Sequence, residues 1–130
     1  MAESTLKSVL FALYGAFSSF VVLEQMEYEK FLEIRSTMCI KHEFVTEGKM
    51  MSSPAIHYKG KVFAFYSRTN NMVFRLGKEY PVDKLDMEMT EFSPFKSKKP
   101  LSGWYEVGFG QHHHWDNLTQ VALTEIMRAS

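Results

Sequence analysis

The chain has 130 residues, 45% of them hydrophobic, and its 15 basic side chains balance 15 acidic ones. That length predicts a single domain over residues 1–130, with enough apolar residues for a sizeable core. A zero net charge argues against a dedicated nucleic-acid binder, because phosphate neutralisation supplies most of the affinity of such proteins. The one cysteine, Cys39, cannot form a disulfide within the chain or a thiolate zinc site. It is predicted to be a buried, inert thiol in a reduced, cytoplasmic protein.

An apolar run at residues 9–23 is the first element of the sequence. It is shorter than the roughly twenty residues needed to span a bilayer, so no membrane association is predicted. Apolar residues at three- and four-residue spacing favour a helix capped by Ser4 or Thr5. A cleaved signal peptide and an extension ahead of Met26 are the alternatives. A stripe this wide requires a partner surface, which predicts a homodimer formed through residues 1–23.

Residues 24–38 predict a helix, since strong helix formers occupy its outward positions. Its buried face is expected to carry Tyr28, Phe31, Leu32, Arg35 and Met38. Residues 46–49 follow and are typical of a loop, in which Gly48 would adopt a positive φ.

An antiparallel β-meander is predicted at residues 55–76, where the apolar pattern changes to a period of two. Its strands are expected at residues 55–58, 61–67 and 72–76. Lys59 and Gly60 form a two-residue hairpin turn between the first two strands, and an asparagine-rich turn at 68–71 follows. In the middle strand the alternation places Phe63 and Phe65 on one face and other apolar residues on the opposite face. Such a strand is expected at the centre of a sheet that is covered on both sides.

The remaining sequence predicts four further segments. They are a helical turn at 81–85, a proline-containing loop at 92–100, a fourth strand at 101–109 and a final helix from Trp115 or Asp116 to Met127. The predicted fold class is therefore α+β, with an antiparallel sheet of four to five strands packed by N-terminal and C-terminal helices.

No constellation of residues predicts catalysis, a metal site or a cofactor. Three consecutive histidines, 112–114, point in different directions in any regular backbone, so they do not predict one metal ion. His57, within the first strand of the meander, is expected to be hydrogen-bonded rather than catalytic. The acidic residues at 83–91 are typical of a solvated stretch, and no nucleotide-binding or nucleophile motif occurs. The protein is therefore predicted not to be an enzyme.

Basic residues near the turns and ends of the meander are the candidate binding residues: Lys59, Lys61, Arg68, Arg75 and Lys78. A basic hairpin with nearby tyrosines could contact a phosphate backbone or a protein partner. Lysines beside hairpin turns also occur for solubility alone. The alternatives are therefore a partner-binding face and an ordinary solvated rim.

Several short strings in a fixed order resemble the TfoX N-terminal domain family, which is related in fold to YjbR-type proteins. They are EGKMM at 47–51, KGKVFA at 59–64, VFRL at 73–76, FSPF at 92–95 and GWYEV at 103–107, followed by the helix that begins near Trp115. The resemblance covers about residues 24–127. It implies a curved antiparallel sheet with helices against it, a role as a transcription or competence accessory protein, and no catalytic residues to carry over.

A second function class is a small-molecule-binding protein or minor enzyme. Its pocket would lie between the sheet and the C-terminal helix and would be lined by four aromatic residues: Phe63, Phe65, Trp104 and Trp115. Such residues more often belong to the core. The first class, a non-enzymatic interaction module, is favoured.

Overall fold

The computed structural model describes residues 19–81, 87–94 and 99–129, with side chains from residue 26 onward. These ranges hold a long helix α1 (Ser19–Lys41), a C-terminal helix α2 (Trp115–Ala129) and a 3₁₀ helix (Phe109–His114) directly before α2. The strands are β1 (Val45–Met50), β2 (Ser53–Tyr58), β3 (Lys61–Tyr66), β4 (Met72–Arg75), β5 (Thr90–Glu91) and β6 (Trp104–Val107). Within the described ranges no helix is long and apolar enough to cross a membrane.

All of these strands join one six-stranded antiparallel sheet in the order β1-β2-β3-β4-β6-β5. Both helices pack on the same face of this sheet, because Phe31 of α1 and Leu118 of α2 share one buried cluster with Phe63 of β3. The α+β class and the meander are confirmed. The sheet has more strands than the expected four to five, because β1 and the short β5 were not predicted.

The central strand β3 is buried on both faces, as its sequence predicts. Ala64 and Tyr66 belong to the cluster beneath the helices, and Phe65 belongs to a second cluster on the opposite face. Each cluster is almost inaccessible to water: Ala64 is 0% exposed and Phe65 1%. The sheet therefore has a large core on its helix side and a smaller one on its other side.

A β-bulge in β3 overturns one detail of the prediction, namely that Phe63 and Phe65 share a face. Ala64 pairs with Ile56 of β2, whereas Val62 pairs with the very next residue of β2, His57. Phe63 is thus an extra residue in the ladder, and an extra residue reverses the direction of the side chains that precede it. Phe63 consequently packs beneath the helices, on the opposite side of the sheet from Phe65.

Residues 46–49 belong to strand β1, so the predicted loop is wrong. Gly48 pairs with Ala55 of β2 in a regular ladder and does not have a positive φ. A Cβ atom built on Gly48 would overlap the imidazole ring of His57. Glycine occurs here because the His57 ring fills the space of a side chain, which a pattern based on chain flexibility does not reveal.

Both predicted turns of the meander are confirmed. Lys59 and Gly60 have φ of 50° and 81°, and two successive positive φ values are typical of the primed hairpin turn. In the next turn Asn70 has a φ of 63°, and the N–H of Ser67 donates to the carbonyl oxygen of Asn71 at 2.8 Å. The residues of these two turns were therefore sufficient to predict the strand order at the centre of the sheet.

The helices follow their predicted periodicity with small shifts. Among the α1 residues from 26 onward, Phe31, Ile34 and Met38 are buried, Leu32 and Arg35 are half-buried and Tyr28 is 39% exposed. The helix extends at least from Ser19, so the predicted helix at 24–38 is one part of a longer element. In α2 the predicted core position Leu118 is fully buried. The proposed caps Ser4 and Thr5, most of the apolar run at 9–23 and most of the helical turn at 81–85 lie outside the described residues.

Gly48→Ala is expected to lower the free energy of unfolding by about 1–3 kcal/mol, because the added methyl group has to displace the His57 ring. Chemical denaturation followed by circular dichroism measures the change. Gly110→Ala is the matched control, since a Cβ atom there meets no heavy atom within 4 Å. In a His57→Ala background the Gly48 substitution should cost nothing further. An equal cost in both backgrounds would contradict the packing explanation.

Candidate binding site

The five basic residues predicted to bind a partner lie at two opposite ends of the sheet. Lys59, Lys61, Arg75 and Lys78 lie at the end that carries the turn at 59–60, called here the hairpin end, because β3 begins where β4 finishes. Arg68 lies at the far end, after β3, where its Nη2 donates to Ser52 Oγ at 2.9 Å. The length of β3 separates Arg68 from Lys61 by about 20 Å. Four of the five residues therefore lie at one end of the sheet, and Arg68 does not.

Exposed apolar side chains adjoin the basic residues at the hairpin end. Ile40, in the last turn of α1, is 83% exposed, and Phe44, in the connection to β1, is 49% exposed. The ammonium of Lys59 lies 4.8 Å from the centre of the Phe44 ring and 5.5 Å from that of Tyr58. These cation–π contacts place the charge directly against an apolar patch.

A cleft of about 770 Å³ opens at the same end, between the sheet and the C-terminal half of α2. Its floor is held by a close approach of two backbone segments. The N–H groups of Leu76 and Gly77 both donate to the carbonyl oxygen of Gly103, at 2.9 and 3.1 Å. Gly77 and Gly103 have φ of 94° and 86°, which favour glycine, and a Cβ atom on Gly103 would lie 3.1 Å from the Gly77 carbonyl carbon.

Arg75 adjoins the cleft and is half-buried. Its Nη1 atom is inaccessible to water and has no hydrogen-bond partner among the described residues. Buried polar groups are almost always paired, and leaving a charged one unpaired is costly. The sequence predicted Arg75 as a binding residue on an exposed rim. The structure half-buries it, and because it alternates with Phe74, which packs beneath the helices, its side chain lies on the other face of the sheet.

Two cleft residues that sequence reasoning missed are Tyr80 and Arg128. Burial raises the pKa of the Tyr80 hydroxyl above its ordinary value of 10.0. Arg128 follows Gln120 and Thr124 at four-residue intervals, and all three line the cleft. That polar stripe along α2 is the signal that could have indicated them.

The aromatic pocket proposed between the sheet and α2 does not form as predicted. Phe63 and Trp115 are 0% exposed within the core beneath the helices, and Phe65 lies on the opposite face of the sheet. Of the four predicted residues only Trp104 adjoins the cleft, and its ring packs against Phe65 on the face away from the helices, with ring centres 5.9 Å apart. The β-bulge at Phe63 is one reason, because it places two of these rings on different faces.

The far end of the sheet carries a smaller pocket, of about 220 Å³, beside Arg68. Glu106 lines this pocket, and its Oε2 atom accepts hydrogen bonds from Thr69 at 2.6 Å, Asn71 at 3.0 Å and Ser67 at 3.3 Å. Three donors on one oxygen hold the turn after β3 against β6. Glu106 therefore has a structural role in fixing this turn.

Histidines show local contacts. His57 Nε2 lies 3.3 Å from the carbonyl oxygen of Lys49, which confirms the expected hydrogen-bonded strand histidine. His112 Nδ1 lies 2.8 Å from the carbonyl oxygen of Phe109, within the 3₁₀ helix. In the part of the chain that the structure describes, no three histidine, cysteine or acidic side chains are grouped as metal ligands would be.

Cys39 lies within α1 and is half-buried against the core, so the predicted burial of the thiol is only partial. Desolvation by burial and, secondarily, the nearby Glu47 carboxylate raise the pKa of the thiol above its ordinary value of 9.0, and Arg35 opposes this shift. Arg35 Nη2 lies 3.7 Å from Glu47 Oε2, and Arg35 Nη1 donates to the carbonyl oxygen of Ala55 at 3.4 Å. The thiol is therefore kept protonated, as an inert cysteine would be.

Comparisons with known proteins supply no relative: no protein-family model, curated protein or solved structure matches the chain. The resemblance to the TfoX N-terminal domain therefore stays a prediction from the sequence.

Alkylation of Cys39 by iodoacetamide is expected to be slow at neutral pH, with its rate rising to half-maximum only above pH 9.0, because the thiolate is the reactive form. Glu47→Gln removes a nearby negative charge, so it should lower the pKa and speed alkylation at a given pH. Mass spectrometry of the modified protein measures the rate. Glu43→Gln, which removes an exposed carboxylate that does not shift this thiol, is the control. Equal rates in both variants would contradict the assignment.

Proposed function

We propose that this protein is a non-enzymatic interaction module that binds an acidic, partly apolar segment of a partner protein at the hairpin end of its sheet. The observation that carries the proposal is the contact of the Lys59 ammonium with the exposed Phe44 ring, in the connection that follows the exposed Ile40 at the end of α1. Lys61 and Lys78 are exposed at the same end and extend the positive surface.

The mixture of apolar and basic side chains favours a protein partner over a nucleic acid. Protein interfaces are enriched in aromatic side chains at their centre and polar at their rim. A nucleic-acid surface depends on many phosphate contacts. Because Arg68 lies apart from the other basic residues, fewer of them can contact one stretch of phosphate backbone. The zero net charge of the chain also argues against a nucleic-acid partner.

The resemblance to the TfoX N-terminal domain suggests the setting of this interaction. We propose an accessory role in transcription or competence, in the cytoplasm, in which the module contacts another protein and performs no chemistry of its own. We also propose a homodimer formed through the apolar segment at residues 1–23.

Selection of short random peptides displayed on phage tests the proposal. Peptides enriched on the wild-type protein should contain aspartate or glutamate together with large apolar residues, and their binding should weaken with salt because exposed charges are screened. Lys59→Glu with Lys61→Glu should abolish binding of the enriched peptides, and Ile40→Ser should weaken it. Arg68→Glu, an equal change in charge at the far end, should leave it intact.

Two outcomes would overturn the proposal. One is the absence of an enriched peptide whose binding depends on Lys59 and Lys61. The other is salt-sensitive binding of duplex DNA, measured by fluorescence anisotropy, that is lost in the double lysine variant and unchanged in Ile40→Ser. That pattern would identify the hairpin end as a nucleic-acid surface instead.

A further inference from the structure

Strand β1 forms the longer of the two edges of the sheet. It stands first in the strand order, so in the part of the chain that the structure describes no strand pairs with its outer side. The opposite edge, β5, has only two residues, whereas β1 has six. An edge strand offers a row of backbone N–H and C=O groups to a further strand. The sheet can therefore be extended at β1.

The ladder between β1 and β2 determines which backbone groups of β1 point outward. Lys49 lies opposite Pro54, which has no N–H, so this is a non-hydrogen-bonded pair. Bonded and non-bonded pairs alternate along an antiparallel ladder, so Gly48 bonds to Ala55. Glu47 and Lys49 consequently direct their N–H and C=O groups away from β2.

The charges on these two residues select a second copy of the chain as the partner. Glu47 and Lys49 are both exposed, and they flank Gly48 symmetrically. When two β1 strands pair antiparallel about a two-fold axis at Gly48, Glu47 of each copy lies opposite Lys49 of the other. This register also joins outward-facing backbone groups to one another. An axis at Glu47 or at Lys49 would instead place like charges opposite each other, which is destabilising.

A groove of about 390 Å³ between α1 and β1 can receive the side chain of the second copy. Tyr28 and Arg35 line it from α1, together with Glu47 and Lys49. These β1 side chains alternate in step with Val45, which packs beneath the helices, so they lie on the helix face of the sheet. The Glu47 side chain is 69% exposed although Arg35 lies 3.7 Å away, so it remains accessible to a second cation.

On the opposite face of the sheet, the His57 ring occupies the space that a Gly48 side chain would fill. In the paired strands, two such rings meet where the side chains of a cross-strand pair normally meet. His57 Nε2 lies 3.3 Å from the carbonyl oxygen of Lys49. A carbonyl oxygen has two lone pairs, so it can still accept from the second strand.

We infer that two copies of this chain pair through their β1 strands, about a two-fold axis at Gly48, and join their six-stranded sheets into one. Both α1 helices then lie on one face beside the axis, because α1 packs over β1. Residues 19–23 belong to α1, so the homodimer proposed through residues 1–23 can be the same assembly. The pairing deepens that proposal by adding a defined contact, and it does not rest on peptide binding at the hairpin end.

An ordinary edge strand is the alternative explanation for these charges. Charged side chains on an edge also prevent unwanted strand pairing, and they do so whatever their sign. Reversing one charge would leave such a protective edge intact. In the dimer the same reversal places like charges opposite each other at two symmetric positions.

Sedimentation velocity of the full chain over a range of concentrations measures the dissociation constant of the dimer. Glu47→Lys should raise this constant by about tenfold or more, and Lys49→Glu should do the same. The double variant carrying both changes restores opposite charges across the axis, so it should dimerise like the wild type. Glu43→Lys makes an equal change in charge at an exposed position before β1 and is the matched control.

Mixing the two single variants provides a sharper test. A dimer with one copy of each has opposite charges at both positions, so the mixture should associate at concentrations where each variant alone is monomeric. Circular dichroism of each variant establishes that it is folded.

Amide hydrogen exchange of the wild type tests the pairing without any substitution. The N–H groups of Glu47 and Lys49 should become protected as the protein concentration rises, because they then donate to the second copy. The N–H of Gly48, which bonds to β2, should be protected at every concentration.

Three results would overturn the inference. The first is a wild-type protein that stays monomeric at millimolar concentration. The second is a dimer whose dissociation constant is the same in the wild type and in both single variants, which would assign dimerisation to residues 1–23 alone. The third is a failure of the folded single variants to associate when mixed, or exchange at Glu47 and Lys49 that does not depend on concentration. None of these results bears on peptide binding through Lys59 and Lys61.

Discussion

Strand β3 is buried on both of its faces, and this constraint determines where the other elements pack. Phe63, Ala64 and Tyr66 require cover on one side, and both helices supply it. Phe65 requires cover on the other side, where Phe92 packs edge-on against it with ring centres 5.1 Å apart. A strand with two apolar faces has to be central, so β2 and β4 flank it and the remaining strands lie further out. The cleft and the basic surface form where these flanking strands end.

Local signals were enough to predict the centre of this sheet. Period-two alternation and the residues of two turns defined the meander, because side-chain direction and turn geometry depend on a few neighbouring residues. Strand β1 escaped prediction because it is a polar edge strand whose glycine is required by a ring on another strand. The bulge at Phe63 escaped for a related reason: it is a property of the register between two strands, and one strand's pattern does not contain it.

In the candidate site, too, some features follow from local sequence patterns and others depend on tertiary packing. A count of basic residues near turns found Arg75 and Lys78, and strand order explains why they lie together while Arg68 does not. The contribution of Arg128 depends on where α2 lies relative to the end of the sheet, which is set by packing between residues far apart in the chain. Sequence patterns therefore identified the charge of this site, and tertiary packing made it a cavity.

The close approach of Gly77 and Gly103 has a consequence for how such a protein can diverge. Both glycines have positive φ, and the Gly103 carbonyl oxygen accepts two backbone hydrogen bonds, so the floor of the cleft is specified by the main chain. The neighbouring Lys78 and Ser102 carry side chains that line the cleft without defining that floor. Descendants of this chain can thus exchange those side chains and change the surface of the cleft without changing its floor, as long as the two glycines persist.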